Sequence, residues 1–133
     1  MKKISHIGIA VSNLDYSSKL FSKILQKEYS LEEVPAEAIT TSFFSIGETK
    51  IELIAANNDT SVISKYLAKH KEGMHHIAIE VDDIQEEISR LKGEGIRVLN
   101  EKPRKGADNK LISFLHPKDT NGVLFEICQS IPG

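Results

Sequence analysis

Cysteine is nearly missing from this sequence. Cys128 is the one thiol among 133 residues, which excludes an internal disulfide and fits a reducing compartment. Long apolar runs are missing as well, and none approaches the ~20 residues that a membrane-spanning helix needs. The opening MKKISHIGIAVSN carries two lysines and a short apolar stretch that turns polar after Val11. A secretory signal would need a longer apolar core and a small-residue cleavage site. Basic charge is not clustered either: 17 Lys and Arg are scattered among 19 Asp and Glu, for a formal net charge of −2. Neither the footprint of a nucleic-acid binder nor a polybasic membrane-surface helix is present. The expectation is a cytoplasmic protein without nucleic-acid or membrane partners.

What remains is ordinary globular material, 40% hydrophobic and 27% charged. Its length suits one compact domain or two half-domains sharing a core. The informative feature is a repeat. HIGIAVSNL, from His6 to Leu14, aligns with HIAIEVDDI, from His76 to Ile84. His, Ile, Ile and Val coincide, Gly8 faces Ala78 and Leu14 faces Ile84, all at a spacing of 70. A period of about half the chain marks a duplication and not a solenoid.

Each copy reads as a strand, a helix and further strands. Leu14, Phe21, Ile24 and Leu25 recur along one helical stripe, as do Ile84, Ile88 and Leu91. Asp83 followed by Glu86 resembles a capping box, and Gly93 or Gly95 would stop that helix. Two strand-like runs follow in each copy, broken at Gly47-Glu48 in the first and from Pro117 to Gly122 in the second. Between the copies Val62, Ile63, Tyr66 and Leu67 have helical spacing, with Asp59, Thr60 or Ser61 as the cap. The predicted organisation is a single domain over residues 1–133. It consists of a first module (about 4–56), a linking helix (about 59–71) and a second module (about 74–130).

Strand parity sorts the polar residues onto faces, because successive side chains point opposite ways. Ile7, Ile9 and Val11 share one side, leaving His6, Gly8 and Ala10 on the other. In GMHHIAIEV, His75 goes with Ile77 and Ile79, whereas His76 goes with Ala78 and Glu80. Glu52 is flanked by Ile51 and Leu53, and Glu126 by Phe125 and Ile127, so each carboxylate points away from its apolar neighbours. If both modules curl around a common cavity, His6, Glu52, His76 and Glu126 all point inward. Two imidazoles and two carboxylates suit a divalent transition metal. Taken singly, each of these residues is more often a packed histidine or a glutamate on a wetted sheet face than a ligand. Their recurrence at matched places in both copies favours the joint reading.

HIGIAVSNLDYSSKLF, GETKIELIA, GMHHIAIEVDDI and FLHPKDTNGVLFEI resemble the vicinal oxygen chelate superfamily, and within it the methylmalonyl-CoA epimerases. The likeness runs from His6 to Gln129. It implies an α+β fold of two paired βαβββ modules whose sheets curl into a cup around a metal site. It places the metal ligands on His6, Glu52, His76 and Glu126, with Glu126 also the catalytic base; some epimerases have glutamine at the place of Glu52. Co²⁺ is the ion favoured by the resemblance, with Zn²⁺, Ni²⁺, Mn²⁺ or Mg²⁺ as alternatives. The implied reaction interconverts (R)- and (S)-methylmalonyl-CoA by moving the proton alpha to the thioester, and relatives are usually homodimers. A second family glutamate aligns with Thr41, leaving Glu37, Glu48, Glu52 or water as the opposite-face acid. Thr41, His116 and Lys118 are the candidate substrate contacts.

Three other functions share this fold. Glyoxalase I (lactoylglutathione lyase) has the same kind of metal site but usually ends in an Asp-Pro-(Asp/Asn)-Gly turn, where this chain has HPKDTNG. Non-catalytic small-molecule binding or resistance proteins generally lack the metal ligands. A two-histidine-one-carboxylate dioxygenase uses three protein ligands, whereas Glu52 offers a fourth.

Overall fold

The chain runs βαβββ twice in a computed structural model that describes residues 2–132. The first pass is β1 (Lys3–Ala10), α1 (Leu14–Leu25), β2 (Ser30–Val34), β3 (Ile39–Ile46) and β4 (Thr49–Ala56). After the connecting helix α2 (Val62–His70) come β5 (Gly73–Glu80), α3 (Ile84–Gly93), β6 (Arg104–Lys105), β7 (Lys110–Phe114) and β8 (Phe125–Ser130). Two compact units result: Ile7–His75 forms one, and the segment ending at His6 joins the segment beginning at His76 in the other.

In the Ile7–His75 unit the strand order is β2-β3-β4-β1. The β3–β4 hairpin turns at Gly47, whose φ of +59° favours a residue without Cβ. Helix α1 starts where the Asn13 side chain accepts the amide of Tyr16, and ends with Gln26 in the left-handed region. Its inner stripe, Leu14, Phe21 and Leu25, packs on Val11, Phe44, Leu53 and Ala55. Ile24 was expected in that stripe but is 64% exposed. At 100° per residue it sits about 80° around the helix from Leu14. It lies beside Tyr16 and Leu20, which are also exposed. Of the three candidate caps for α2, Ser61 does the work by accepting the Ile63 amide. Ile63, Tyr66 and Leu67 pack against Ala10 and Ile54, while Val62 faces solvent.

In the other unit β8 runs parallel to β5 and antiparallel to β7, and β7 carries the short edge strand β6. That edge occupies the first two residues of RKGADNK, Arg104 to Lys110. Asp83 caps α3 through the Glu86 amide. Ile84, Ile88 and Leu91 then bury against Val81, Leu115 and Ile127, with Phe125 packed alongside. Each such burial contributes roughly 1.5–3 kcal/mol, enough to fix which face of β8 meets the helix.

The opposite face of this sheet carries the polar residues. Ala78 stands opposite Glu126, which stands opposite Phe114; one step on, Glu80, Cys128 and Ile112 are in line. Ala78, Ile112 and Cys128 form a buried apolar patch with Phe114 packed on it. Its far end is closed by the Lys110 ammonium, 3.0 Å from both the Glu80 carboxylate and the Ser130 hydroxyl. Burial alone would raise the Glu80 pKa, but the hydrogen bonds from Lys110 and Ser130 outweigh it and hold the carboxyl below its ordinary value.

Candidate metal centre

Three buried side chains meet at the start of that face: His6 from β1, His76 from β5 and Glu126 from β8. Their ligand atoms all lie within 4.8 Å of one another. The Nε2 atoms of His6 and His76 are 3.1 Å apart, and the rings cross edge to face at 88°. The Glu126 carboxylate spans both rings, with Oε2 3.4 Å from His6 Nε2 and Oε1 3.5 Å from His76 Nε2.

The donor set fits a divalent metal ion on the structure's own terms. Two nitrogens each ~2.1 Å from one ion stand roughly 3 Å apart at coordination angles of 90–110°, which is the separation found. Glu126 Oε2 is buried with no hydrogen-bond partner. A buried carboxylate oxygen in that condition is costly unless something positive engages it. Imidazole and carboxylate together suit zinc, cobalt, nickel or manganese better than a soft cuprous ion.

The other residues singled out in the sequence fall in different places. Glu52 lies on β4 in the Ile7–His75 unit, buried and opposite Phe43 in the ladder. Thr41, on β3 of that unit, is fully buried, with its hydroxyl 3.5 Å from the carbonyl oxygen of Glu32. His116 accepts the Lys118 amide through Nδ1 and so caps the short 3-10 turn Pro117–Asp119. Arg97 grips Asp119 with a two-pronged contact, and that guanidinium holds the Asp119 carboxyl far below the usual range. The turn bearing His116 and Lys118 is therefore well braced, and Lys118 itself is exposed.

The doubled histidine divides between the units, His75 with one and His76 with the other. His75 meets Tyr66 edge-on at 4.7 Å, and Tyr66 stacks on His70 and donates its hydroxyl to the Met74 carbonyl. Burial first, and the neighbouring His70 second, lower the His75 pKa from 6.5 to about 4. Between those two pH values the unfolded chain takes up a proton that the folded chain refuses. Stability from this group is thus complete above pH 6.5 and drains away as pH falls towards 4. Replacing His75 by Phe keeps a ring against Tyr66 and removes that linkage. Relative to the wild type, the variant should gain about 2 kcal/mol on going from pH 7 to pH 5. Urea midpoints at the two pH values measure it, and the variant's metal content should match that of the wild type.

Two contributors escaped the sequence reading. Phe114 sets its ring edge against His76 at 5.9 Å, and Ser5 places its hydroxyl 3.0 Å from His6 Nδ1. Phe114 shares the parity of Ile112, a signal readable once β7 is paired with β8. Ser5 had only its adjacency to His6 to mark it.

Comparison with known proteins identifies the family. Residues 5–114 match the family model described as glyoxalase/bleomycin resistance protein/dioxygenase superfamily. The mitochondrial methylmalonyl-CoA epimerase of Dictyostelium discoideum is 39% identical over 94% of this chain and 76% of its own length. An ethylmalonyl-CoA/methylmalonyl-CoA epimerase of Cereibacter sphaeroides is 38% identical over 96% and 97% of the two chains. Among solved structures, a Streptomyces coelicolor methylmalonyl-CoA epimerase in complex with 2-nitronate-propionyl-CoA superposes with a TM-score of 0.94. It shares 32% identity, with 99% of each chain covered. Among the described residues no helix is long and apolar enough to cross a membrane. The chain belongs to the glyoxalase/bleomycin resistance protein/dioxygenase superfamily and, within its paired βαβββ fold, to the methylmalonyl-CoA epimerases, which are isomerases.

Proposed function

We propose that this protein interconverts the (R) and (S) forms of methylmalonyl-CoA by removing and returning the proton alpha to the thioester. The observation that carries the reading is Glu126, a buried carboxylate reaching two imidazoles while one of its oxygens has no hydrogen bond. His6, His76 and Glu126 hold the divalent ion in this reading. Glu52, the repeat counterpart of Glu126, is proposed as the fourth ligand on the strength of the repeat alone. Co²⁺ is the preferred ion, with Zn²⁺, Ni²⁺, Mn²⁺ or Mg²⁺ able to replace it. A divalent cation there supplies positive charge for the oxygen that becomes negative when the alpha proton leaves.

The chain's own residues do the rest. Glu126 accepts the alpha proton, as a carboxylate fixed in position does efficiently. The aromatic wall of Phe114 and the apolar floor of Ala78, Ile112 and Cys128 keep water from that carboxylate. A low-dielectric surround strengthens every charge interaction within it. His116 and Lys118, on their braced turn, and Thr41 are the proposed substrate contacts. The working form is proposed to be a cytoplasmic homodimer acting on an acyl-CoA.

Incubating metal-loaded protein with methylmalonyl-CoA in deuterated water tests the reading. Label should enter the alpha carbon, read by mass spectrometry. Turnover of the glutathione hemithioacetal with no label in methylmalonyl-CoA would replace it with a glyoxalase I activity. The HPKDTNG turn, which lacks the usual glyoxalase Asp-Pro-(Asp/Asn)-Gly pattern, favours the epimerase.

A further inference from the structure

A histidine that binds a metal through Nε2 must keep its proton on Nδ1, and something has to hold that proton there. The second position of this pair is visible at His6. Ser5 Oγ lies 3.0 Å from His6 Nδ1, and both residues are buried. Ser5 and His6 are consecutive on a strand whose burial otherwise alternates, as Ile7, Gly8, Ile9 and Ala10 do. Burying two polar neighbours in succession costs free energy unless they satisfy each other.

We infer that Ser5 is a positioning residue for metal binding: its hydroxyl accepts the Nδ1–H of His6 and so keeps the Nε2 lone pair directed at the ion. A hydroxyl has one proton to give and two lone pairs to receive with. With His6 Nε2 turned towards the other two candidate ligands, the ring proton sits on Nδ1 and the Ser5 oxygen receives it.

This inference rests on the metal reading above, and its test separates the two. The chelator-treated full chain is titrated with Co²⁺ against a chromophoric competitor. In parallel, ¹⁵N imidazole shifts report the His6 tautomer in the metal-free protein. Ser5→Ala should lower Co²⁺ affinity ten- to a hundredfold, the range for lost partners of a ligating histidine. Its metal-free melting temperature should fall by a few degrees, because the buried Nδ1–H of His6 loses its partner, and Ser5→Thr should bring the affinity back to within a few-fold. His6 in the wild type should be the Nδ1–H form. Wild-type affinity in Ser5→Ala, equal losses in Ser5→Ala and Ser5→Thr, or an Nε2–H tautomer at His6 would each overturn the role of Ser5. Undiminished Co²⁺ binding in His6→Ala would instead remove the metal reading on which it stands.

Discussion

Glu126→Gln should slow deuterium uptake at the alpha carbon of methylmalonyl-CoA by about a thousandfold, while leaving the fold intact. The size follows from what a positioned acid or base supplies, typically 10²–10⁴ in rate. Glutamine keeps the volume and one carbonyl oxygen near the histidines, but it cannot accept the proton. The backbone should be untroubled, because the flanking Phe125 and Ile127 pack under α3 on the other face. Circular dichroism and melting curves verify the fold, and single-turnover exchange followed by mass spectrometry measures the rate. Exchange within tenfold of the wild type would move the base elsewhere, with Glu52 next in line.

His76→Ala should go further and lose the ion itself. Truncation deletes one of the two nitrogens that stand 3.1 Å apart and removes the edge on which Phe114 rests. Removing a partner of a ligating histidine already costs 10–100-fold in affinity, so removing the ligand should cost more than about a hundredfold. Elemental analysis after dialysis should find the variant almost metal-free and inactive, whereas His75→Phe stays loaded. The reverse pattern would exchange the roles of the two histidines. A further variant, His76→Gln, fills the volume without an imidazole nitrogen and so separates loss of ligation from loss of packing.

The repeat made much of this legible. The spacing of 70 between His6 and His76 identified two strands as equivalents, and parity then named the one histidine of the doubled pair that faces Glu126. Alternation also placed Ile51 and Leu53 beneath α1 and Phe125 and Ile127 beneath α3, because a side-chain period of two leaves no choice once one face is buried. What escaped depends on partners distant in sequence. Ile24 and Val62 have helical spacing, yet nothing in the chain says how wide the covered stripe is, and both lie on the open side. The two residues of β6 are too few to carry a period. The polar turn at His116 reads equally as a ligand contact or an ordinary solvated turn, and only the Lys118 amide on its Nδ1 reveals the capping role. Ser5 looks like any small polar residue until its neighbour's ring nitrogen is located.

The unit that holds His6, His76 and Glu126 draws its first strand segment from the start of the chain and everything else from His76 onward. On the ribosome, His6 is made before His76 and Glu126 and must wait for both. At roughly 5–20 residues per second, its carboxylate partner follows by about 6 to 24 s. Local pairing within Ile7–His75 can proceed in that interval, but the imidazole of His6 lacks its carboxylate partner until β8 emerges. In the proposed metal reading the three-residue site is complete only once β8 has been made, and a nascent chain stalled before β8 would carry two histidines and no Glu126 carboxylate to complete the grip.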